Sequence, residues 1–238
     1  MGEMDISIVV PVYNEEENLP RLIPHLADVL RKVGRKFEII LVDDGSVDGS
    51  IDIIKNLITK YKEISYLRFI RNCGQTAAID AGFKTARGDI VITLDGDLQN
   101  DPEDIPGMLT YIPEYDIVCG WRVDRQDSPI KKISSRIGNG FRRNITGDRI
   151  HDTGCSLKIY KREWLKRIKL FKGMHRFLPV LLQMEGARII EVKVNHKLRQ
   201  YGKSKYNIRN RLFAGLYDLL AVRWMQKRAL DYQIGERS

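Results

Sequence analysis

"DIVITLDGDLQNDPEDIP" spans residues 89–106, and its apolar run, IVITL, stops abruptly at Asp95, Gly96 and Asp97, with Gln99 just beyond. Such a run of aliphatic and β-branched residues reads as a strand buried on both faces, as in a parallel sheet. Ligands of these sheets gather beyond the C-terminal ends of the strands. Two carboxylates one residue apart repel each other unless a cation lies between them. With extended backbone through Gly96, Asp95 and Asp97 would project to the same side, and Gln99 would continue the alternation. Hard oxygen donors suit Mg2+ or Mn2+, which keep coordination positions open for substrate phosphate. Asp95, Asp97 and Gln99 are therefore candidate metal ligands, with solvated turn residues as the plainer alternative. Gly96 leaves room for a ligand close to the backbone.

The same pattern repeats upstream. "ISIVVPVY" (6–13), "FEIILVDD" (37–44) and "SYLRFI" (65–70) read as three earlier strands. Leu19, Leu22, Ile23, Leu26 and Leu30 recur at helical spacing after the first, and Ile51, Ile54, Leu57, Ile58 and Tyr61 after the second. Asn14 is placed to cap the first helix, with Glu15, Glu16 and Glu17 in its opening turn. "TAAIDAGFKTA" reads as a helix closed by Gly88. Repeated alternation implies an α/β fold with a doubly wound, mostly parallel sheet and helices on both faces. Its rim then collects Tyr13, Asp43, Asp44, Asp95 and Asp97.

Beyond residue 107 the pattern is less regular. "YDIVCGWR" (115–122), "GCSLKIY" and "ARIIEVKVNHKLR" are strand candidates, and "SPIKKISSRIGNGFRR" reads as a basic helix. No linker, internal repeat or low-complexity tract interrupts residues 1–207, which form one domain, with a helical tail over 208–238.

Charge divides the chain more sharply than its net of +9 suggests. Residues 1–120 hold 12 Lys and Arg against 21 Asp and Glu, whereas residues 121–238 hold 28 against 10. A basic half of this kind faces phosphates or an anionic surface. Cys73, Cys119 and Cys155 lack paired spacing, which fits a reducing compartment and neither a disulfide framework nor a zinc site. Met1–Asp5 is short and polar, without the pattern of a signal peptide.

Asp43, Asp44, Gly45 and Ser46 end the second strand as Asp95 to Asp97 end the fourth. The pair either forms an Asx-turn and helix cap or accepts hydrogen bonds from a base or sugar. No Gly-x-Gly-x-x-Gly or Gly-x-x-x-x-Gly-Lys-Ser/Thr occurs, which argues against a dinucleotide oxidoreductase and a P-loop NTPase. Helix-turn-helix, RRM and zinc patterns are absent too, so nucleic acid is not the expected partner.

"VVPVYNEEENL", "LVDDGSVDGS", "NCGQTAAIDAGFKTARGD" and "LDGDLQNDPEDIP" together resemble the family 2 glycosyltransferases of GT-A fold. Within them, the set is similar to the polyprenyl-phosphate hexosyltransferases of the dolichol-phosphate mannose synthase type. "HDTGCSLKIYKRE" and "HKLRQYGKSKYN" carry the resemblance to about residue 207. It implies inverting transfer of a hexose from a nucleotide sugar, GDP-mannose first and UDP-glucose next, to a dolichyl or undecaprenyl phosphate. It puts Pro11, Tyr13, Glu15, Val42, Asp43, Asp44, Asp95 and Gly96 around the donor nucleotide, and a metal at Asp95, Asp97 and Gln99. Arg199, Ser204 and Lys205 match the diphosphate motif. Arg122, Lys131, Ser135 and Arg136 fall where the acceptor's phosphate binds, and Asp152 is the expected active carboxylate, with Asp97, Arg122 and Arg199 beside it in catalysis. A transferase acting on a saccharide hydroxyl is the alternative, and a catalytically silent nucleotide- or nucleic-acid-binding module the remote one.

The tail, "NRLFAGLYDLLAVRWMQKRALDYQ", is helical by periodicity and too interrupted by charge to span a bilayer. Leu212, Phe213, Leu216, Leu219, Leu220 and Trp224 would share a broad apolar face, either packed on the domain or lying in a membrane interface. The chain thus resembles the catalytic-domain-only type, held peripherally at the cytoplasmic face of a membrane, with a membrane-anchored partner or a homo-oligomer as further possibilities.

Overall fold

Apolar runs buried on both faces become the central strands of the computed structural model. It describes residues 4–123, 129–198, 208–230 and 235–236, with side chains throughout except at 129–137 and 208–214. Among the described residues seven strands form one sheet: β1 (Ile6–Val12), β2 (Phe37–Asp43), β3 (Ile64–Arg68), β4 (Ile90–Thr93), β5 (Ile117–Trp121), β6 (Lys158–Lys161) and β7 (Ile189–Lys193). Their order is β3-β2-β1-β4-β6-β5-β7. All neighbours are parallel except β6, which runs antiparallel to both β4 and β5. Two successive reversals return β5 and β7 to the direction of β1. The C-terminal ends of β2, β1, β4 and β5 therefore share one rim with the segment that leads into β6.

Among the described residues the α-helices are α1 (Leu19–Val33), α2 (Ser50–Lys60), α3 (Gln75–Thr85), α4 (Ile105–Leu109), α5 (Pro129–Thr146), α6 (Arg162–Leu165), α7 (Leu178–Met184) and α8 (Ile208–Arg228). Alternate residues of β1 sort the core. Ile6, Ile8, Val10 and Val12 pack with Leu22, Leu26 and Leu30 of α1 and Ile54 of α2. Val9, on the opposite face, meets Ala78 and Ile79 of α3 in a cluster that includes Leu178 and Leu182 of α7. A Cβ on Gly82 would come within 2.2 Å of Val9 Cγ1, so the close seat of α3 on β1 requires glycine there.

Three local expectations give way to tertiary structure. Asn14 does not cap α1: it holds a left-handed φ of 52°, and the helix starts after Asn18, which leaves Glu15, Glu16 and Glu17 in the preceding loop. Gly88 does not close α3, which ends at Thr85 with Ala86 as its cap. Gly88 lies instead against the backbone of Ile6, where a Cβ would approach Ile6 C to 2.7 Å. β4 stops at Thr93 and does not run through Gly96; the chain turns at Gly96–Asp97, and Leu98 takes a φ of 60°.

The tail helix splits its apolar residues between two sides. Leu219 and Val222 of α8 are buried in a cluster with Ile150, Met174, Phe177, Val180 and Leu181. Tyr217, Leu220 and Trp224, at i, i+3 and i+7, are exposed, Trp224 by 64%. Among the described residues no helix is long and apolar enough to cross a membrane.

Candidate active site

The rim is built first by two loops that grip each other. Asn14 N donates to Ser46 Oγ (2.9 Å) and Val47 N to Asn14 Oδ1 (2.9 Å). Glu15 N donates to Ser50 Oγ (2.8 Å), and Gly49 N to Glu16 Oε2 (2.7 Å). The polar cluster after β1 thus fastens the β1–α1 loop to the β2–α2 loop. Gly45, at φ 71°, crosses the Arg71–Asn72 backbone so closely that a Cβ would lie 2.6 Å from Arg71 C.

Asp43 and Asp44 serve this scaffold. Asp43, fully buried, accepts from Ser46 N at Oδ1 (3.0 Å), an Asx-type turn, and faces Arg68 Nε at 3.3 Å. Asp44 Oδ1 accepts from Cys73 N (2.6 Å), and Oδ2 from Gly74 N (2.9 Å) and Asn72 Nδ2 (2.9 Å). Burial and the charge of Asp43 raise the Asp44 carboxyl above its ordinary range despite those N–H donors. Of the two carboxylates expected to meet the nucleotide, Asp44 gives both oxygens to Asn72, Cys73 and Gly74, whereas Asp43 Oδ2 is buried with no hydrogen-bond partner beside Arg68. Val42, expected beside the nucleoside, is wholly buried with Val9, Ala78 and Ile79, because the strand alternation turns it under α3. Pro11 and Glu15 do converge on Gly96: a Cβ there would lie 3.4 Å from Pro11 O and 3.5 Å from Glu15 Cγ.

Asp95 is the electrostatic centre of the rim. Enclosure and the neighbouring Asp97 push its carboxyl up to about 6, although Ser156, Lys158 and Arg122 oppose the shift. Gln75, at the start of α3, donates Nε2–H to Asp95 Oδ1 (2.7 Å). Asp97 is buried, and its Oδ1 accepts from Gln99 N (3.2 Å). Because the strand has ended, a turn rather than sheet alternation brings Asp95 and Asp97 together, and the alternation expected to direct Gln99 does not continue. Among the described residues no three His, Cys, Asp or Glu side chains converge as metal ligands. Two carboxylates alone would need oxygens from a substrate to complete a coordination shell.

Across the rim, beyond β5, Arg122 grips Asp152. Nε donates to Oδ2 (2.7 Å), Nη2 to Oδ1 (3.0 Å) and the Arg122 backbone N to Oδ2 (3.3 Å). Both side chains are largely buried. Burial alone would lower the guanidinium's pKa, but Asp152 raises it above the ordinary arginine value, so Arg122 stays charged. Arg122, expected at the acceptor's phosphate, directs Nε and Nη2 to Asp152. Glu191 of β7 holds the same turn, accepting from His151 N (2.8 Å) and Asp152 N (2.9 Å) and pairing with His151 Nδ1 (2.8 Å). Trp121 stacks on the His151 ring at 4.5 Å. Lys158, buried at the start of β6, donates Nζ to Thr153 O (3.2 Å) and to Cys155 O.

Sequence reasoning missed Gln75 and Glu191. A glutamine directly after a glycine at a helix start on the rim, and a glutamate inside the apolar strand "IIEVK", are the signals that could have found them. Arg199, Ser204 and Lys205 lie outside the described residues, as do the side chains of Lys131, Ser135 and Arg136 on α5. The segment leading to Arg199 is nonetheless laid beside the Asp97 turn. Lys197 N donates to Gln99 O (2.9 Å), His196 bridges to Asn100, and Lys197 Nζ meets Asp101 at 2.6 Å.

Comparison with known proteins gives this rim a context. A family model described as Glycosyl transferase family 2 matches residues 7–169. A dodecaprenyl-phosphate galacturonate synthase of Rhizobium johnstonii is 41% identical over 232 residues, covering 94% of this chain and 68% of the relative. An undecaprenyl-phosphate 4-deoxy-4-formamido-L-arabinose transferase of Pectobacterium atrosepticum is 42% identical over 218 residues, covering 91% of this chain and 66% of the relative. The chain thus spans about two thirds of the length of these curated relatives. Among solved structures, a glucosyl-3-phosphoglycerate synthase of Mycobacterium tuberculosis, in complex with Mn2+, UDP and phosphoglyceric acid, superposes with a TM-score of 0.69. It is 17% identical, with 98% of this chain and 82% of that one covered, a likeness of fold. The mixed sheet is the GT-A fold.

Proposed function

The chain belongs to glycosyl transferase family 2, and from that membership we propose that it transfers a sugar from a nucleotide sugar to the phosphate of a polyprenyl phosphate, with inversion at the anomeric carbon. The names of the relatives at 41% and 42% identity support the acceptor class. The observation that carries the reading is the Arg122–Asp152 clamp. A saccharide hydroxyl must lose a proton as it attacks and therefore needs a general base. Asp152, the nearest candidate, already has both oxygens engaged by Arg122. A lipid monophosphate has a second pKa of about 6 and arrives ionised near pH 7. Its oxygen forms the new bond to the anomeric carbon while the bond to the nucleoside diphosphate breaks, with no proton to remove.

The residues suit a divalent cation at Asp95 and Asp97, with Gln99 the third proposed ligand. Burial first, and then the charge of Asp97, push Asp95 up to about 6, and a shared Mg2+ or Mn2+ would offset both. Such an ion, when bound, neutralises the departing diphosphate. Gln75 orients Asp95, and Arg122 holds Asp152 and its loop in place. Arg199, Ser204 and Lys205 are the proposed partners of the diphosphate. Lys131, Ser135 and Arg136 on α5 remain proposed for the acceptor. Pro11, Tyr13, Glu15 and Gly96 line the donor side, with Asp43 and Asp44 as its support. Residues 1–207 form the catalytic unit. The 208–238 tail rests on it through Leu219 and Val222 and offers Tyr217, Leu220 and Trp224 to a membrane surface at the cytoplasmic side.

Sugar identity is the open variable of the donor. The resemblance in sequence names GDP-mannose and UDP-glucose, whereas the relatives' names carry galacturonate and 4-deoxy-4-formamido-L-arabinose. A panel of labelled nucleotide sugars carrying these four, each incubated with one polyprenyl phosphate and Mg2+ or Mn2+, decides it. One donor is expected to label the lipid; no labelling by any nucleotide sugar would refute the proposal.

A further inference from the structure

Gln75 reaches Asp95 from the first residue of α3, and the residue beside it ties that turn to a distant part of the chain. Thr76 is buried; its Oγ1 accepts from Gly173 N (3.0 Å) and pairs with His175 Nδ1 (2.6 Å). A threonine in the opening turn of a helix ordinarily spends its hydroxyl on nearby backbone. This one spends it on partners 97 and 99 residues away.

The partner segment is held in turn from its other side. Gly173, at φ 88°, leads into the 3-10 helix Met174–Phe177. A Cβ on Gly173 would lie 2.2 Å from Asp218 Oδ2 of α8, so the close seat of the tail helix requires glycine there. Met174 and Phe177 are buried with Leu219 and Val222 of the same helix. Residues 173–177 thus touch both α3 and α8. A series of contacts runs from α8 through Gly173 and His175 to Thr76, and its neighbour Gln75 touches Asp95.

What this series does follows from how α3 is otherwise held. Farther along, the helix rests on β1 where Gly82 meets Val9. Asp44 fixes Cys73 N and Gly74 N, which precede the helix. Within residues 75–78 only Gln75 and Thr76 carry polar side chains. Thr76 therefore supplies the polar hold that sets where Gln75 points.

We propose that Thr76 and His175 are positioning residues for Asp95, acting through Gln75, and that the tail helix α8 supports them through residues 173–177. The role in transfer rests on the function proposed above, in which Asp95 carries a divalent ion; the brace itself does not.

Two readouts test the proposal without sugar transfer: amide hydrogen exchange of residues 73–79 in the metal-free chain, and affinity for Mn2+ in the presence of UDP or GDP. Thr76→Val keeps the shape and loses the hydroxyl. Its exchange is expected to speed up and its Mn2+ affinity to fall, each by about fivefold, the equivalent of one hydrogen bond. Thr76→Ser should restore both. Because Thr76 acts through Gln75, Gln75→Ala/Thr76→Val should bind Mn2+ no more weakly than Gln75→Ala alone. Leu219→Ala should lower Mn2+ affinity as well, whereas Ile64→Ala, a buried change at the start of β3, should not. Unchanged Mn2+ affinity in folded Thr76→Val overturns the proposal, whatever the exchange. So do additive losses in the double variant, or equal losses in Leu219→Ala and Ile64→Ala. If Thr76→Val does not fold, His175→Ala gives the same reading. The expected changes in a chain that transfers no sugar to any polyprenyl phosphate would leave the brace standing while the function falls.

Discussion

Arg122 and Asp152 face each other across two parallel hydrogen bonds of 2.7 and 3.0 Å, at the end of β5 and at the turn that leads into β6. That pair joins the basic half of the chain to the acidic rim, because the charge of Arg122 also acts on Asp95. Replacing Arg122 by Ala leaves a buried carboxylate without its partner. Stability is expected to fall by about 3 kcal/mol, and turnover by about a hundredfold or more. Arg122→Lys should recover part of the stability but little of the rate, since one ammonium cannot reproduce the fork. Thermal melts and steady-state kinetics check both.

Gln75 lends Asp95 one amide hydrogen bond of 2.7 Å. A hydrogen bond to a charged group contributes roughly 1.5–3 kcal/mol. Gln75→Ala is therefore expected to lower kcat at saturating donor by about tenfold and to raise the divalent-ion concentration needed for half-maximal rate. The KM for the lipid should stay unchanged. Titration of activity with Mn2+ separates these effects.

Asp116 supplies the clearest pH signature of stability. Burial would raise its carboxyl, but Lys161 Nζ (2.8 Å), Arg188 N (2.9 Å) and Arg188 Nε (3.3 Å) hold it down at about 2. An unfolded aspartate titrates near ~3.9. With the folded value below the unfolded one, this contribution is complete above pH ~4 and disappears as pH falls towards 2. Asp116→Asn should melt lower than the parent at pH 7, by about 1.5–3 kcal/mol, and the two curves should converge near pH ~2. Denaturation at a series of pH values measures the convergence.

The two sides of α8 are separable by mutation. Leu219 is only 4% exposed, and Leu219→Ala is expected to cost about 2–4 kcal/mol through the cavity it leaves. Trp224→Ser should change stability by less than about 0.5 kcal/mol and should reduce binding to anionic vesicles. Melts and vesicle flotation of the two variants distinguish a packing face from a membrane face.

Strands were legible in the sequence wherever both faces are buried, since β1, β2 and β4 are nearly unbroken apolar runs that no helix pattern imitates. The acidic rim was legible because polar residues interrupt those runs abruptly. What escaped is set by tertiary contact. Asn14 followed by three glutamates satisfies every local rule for a helix start, yet its backbone and side chain are claimed by Ser46 and Val47. The hydrogen bonds of Asp44 to Asn72, Cys73 and Gly74 were not legible, because those partners lie a whole helix and strand away. The antiparallel β6 gives no local sign of its direction. Gln75 and Glu191 touch Asp95 and the Asp152 turn through pairings of distant segments that periodicity does not encode.

The most direct measurement is a competition for acceptor. A labelled nucleotide sugar, in the presence of Mn2+ and the purified chain, is offered polyprenyl phosphate and free saccharides together, with Asp97→Asn as the comparison. Label is expected in the lipid phase as polyprenyl-phosphate sugar, at least about a hundredfold above that formed by Asp97→Asn. Label transferred to saccharide hydroxyls with the lipid unmarked, or undiminished lipid labelling by Asp97→Asn, would contradict the assignment of this site.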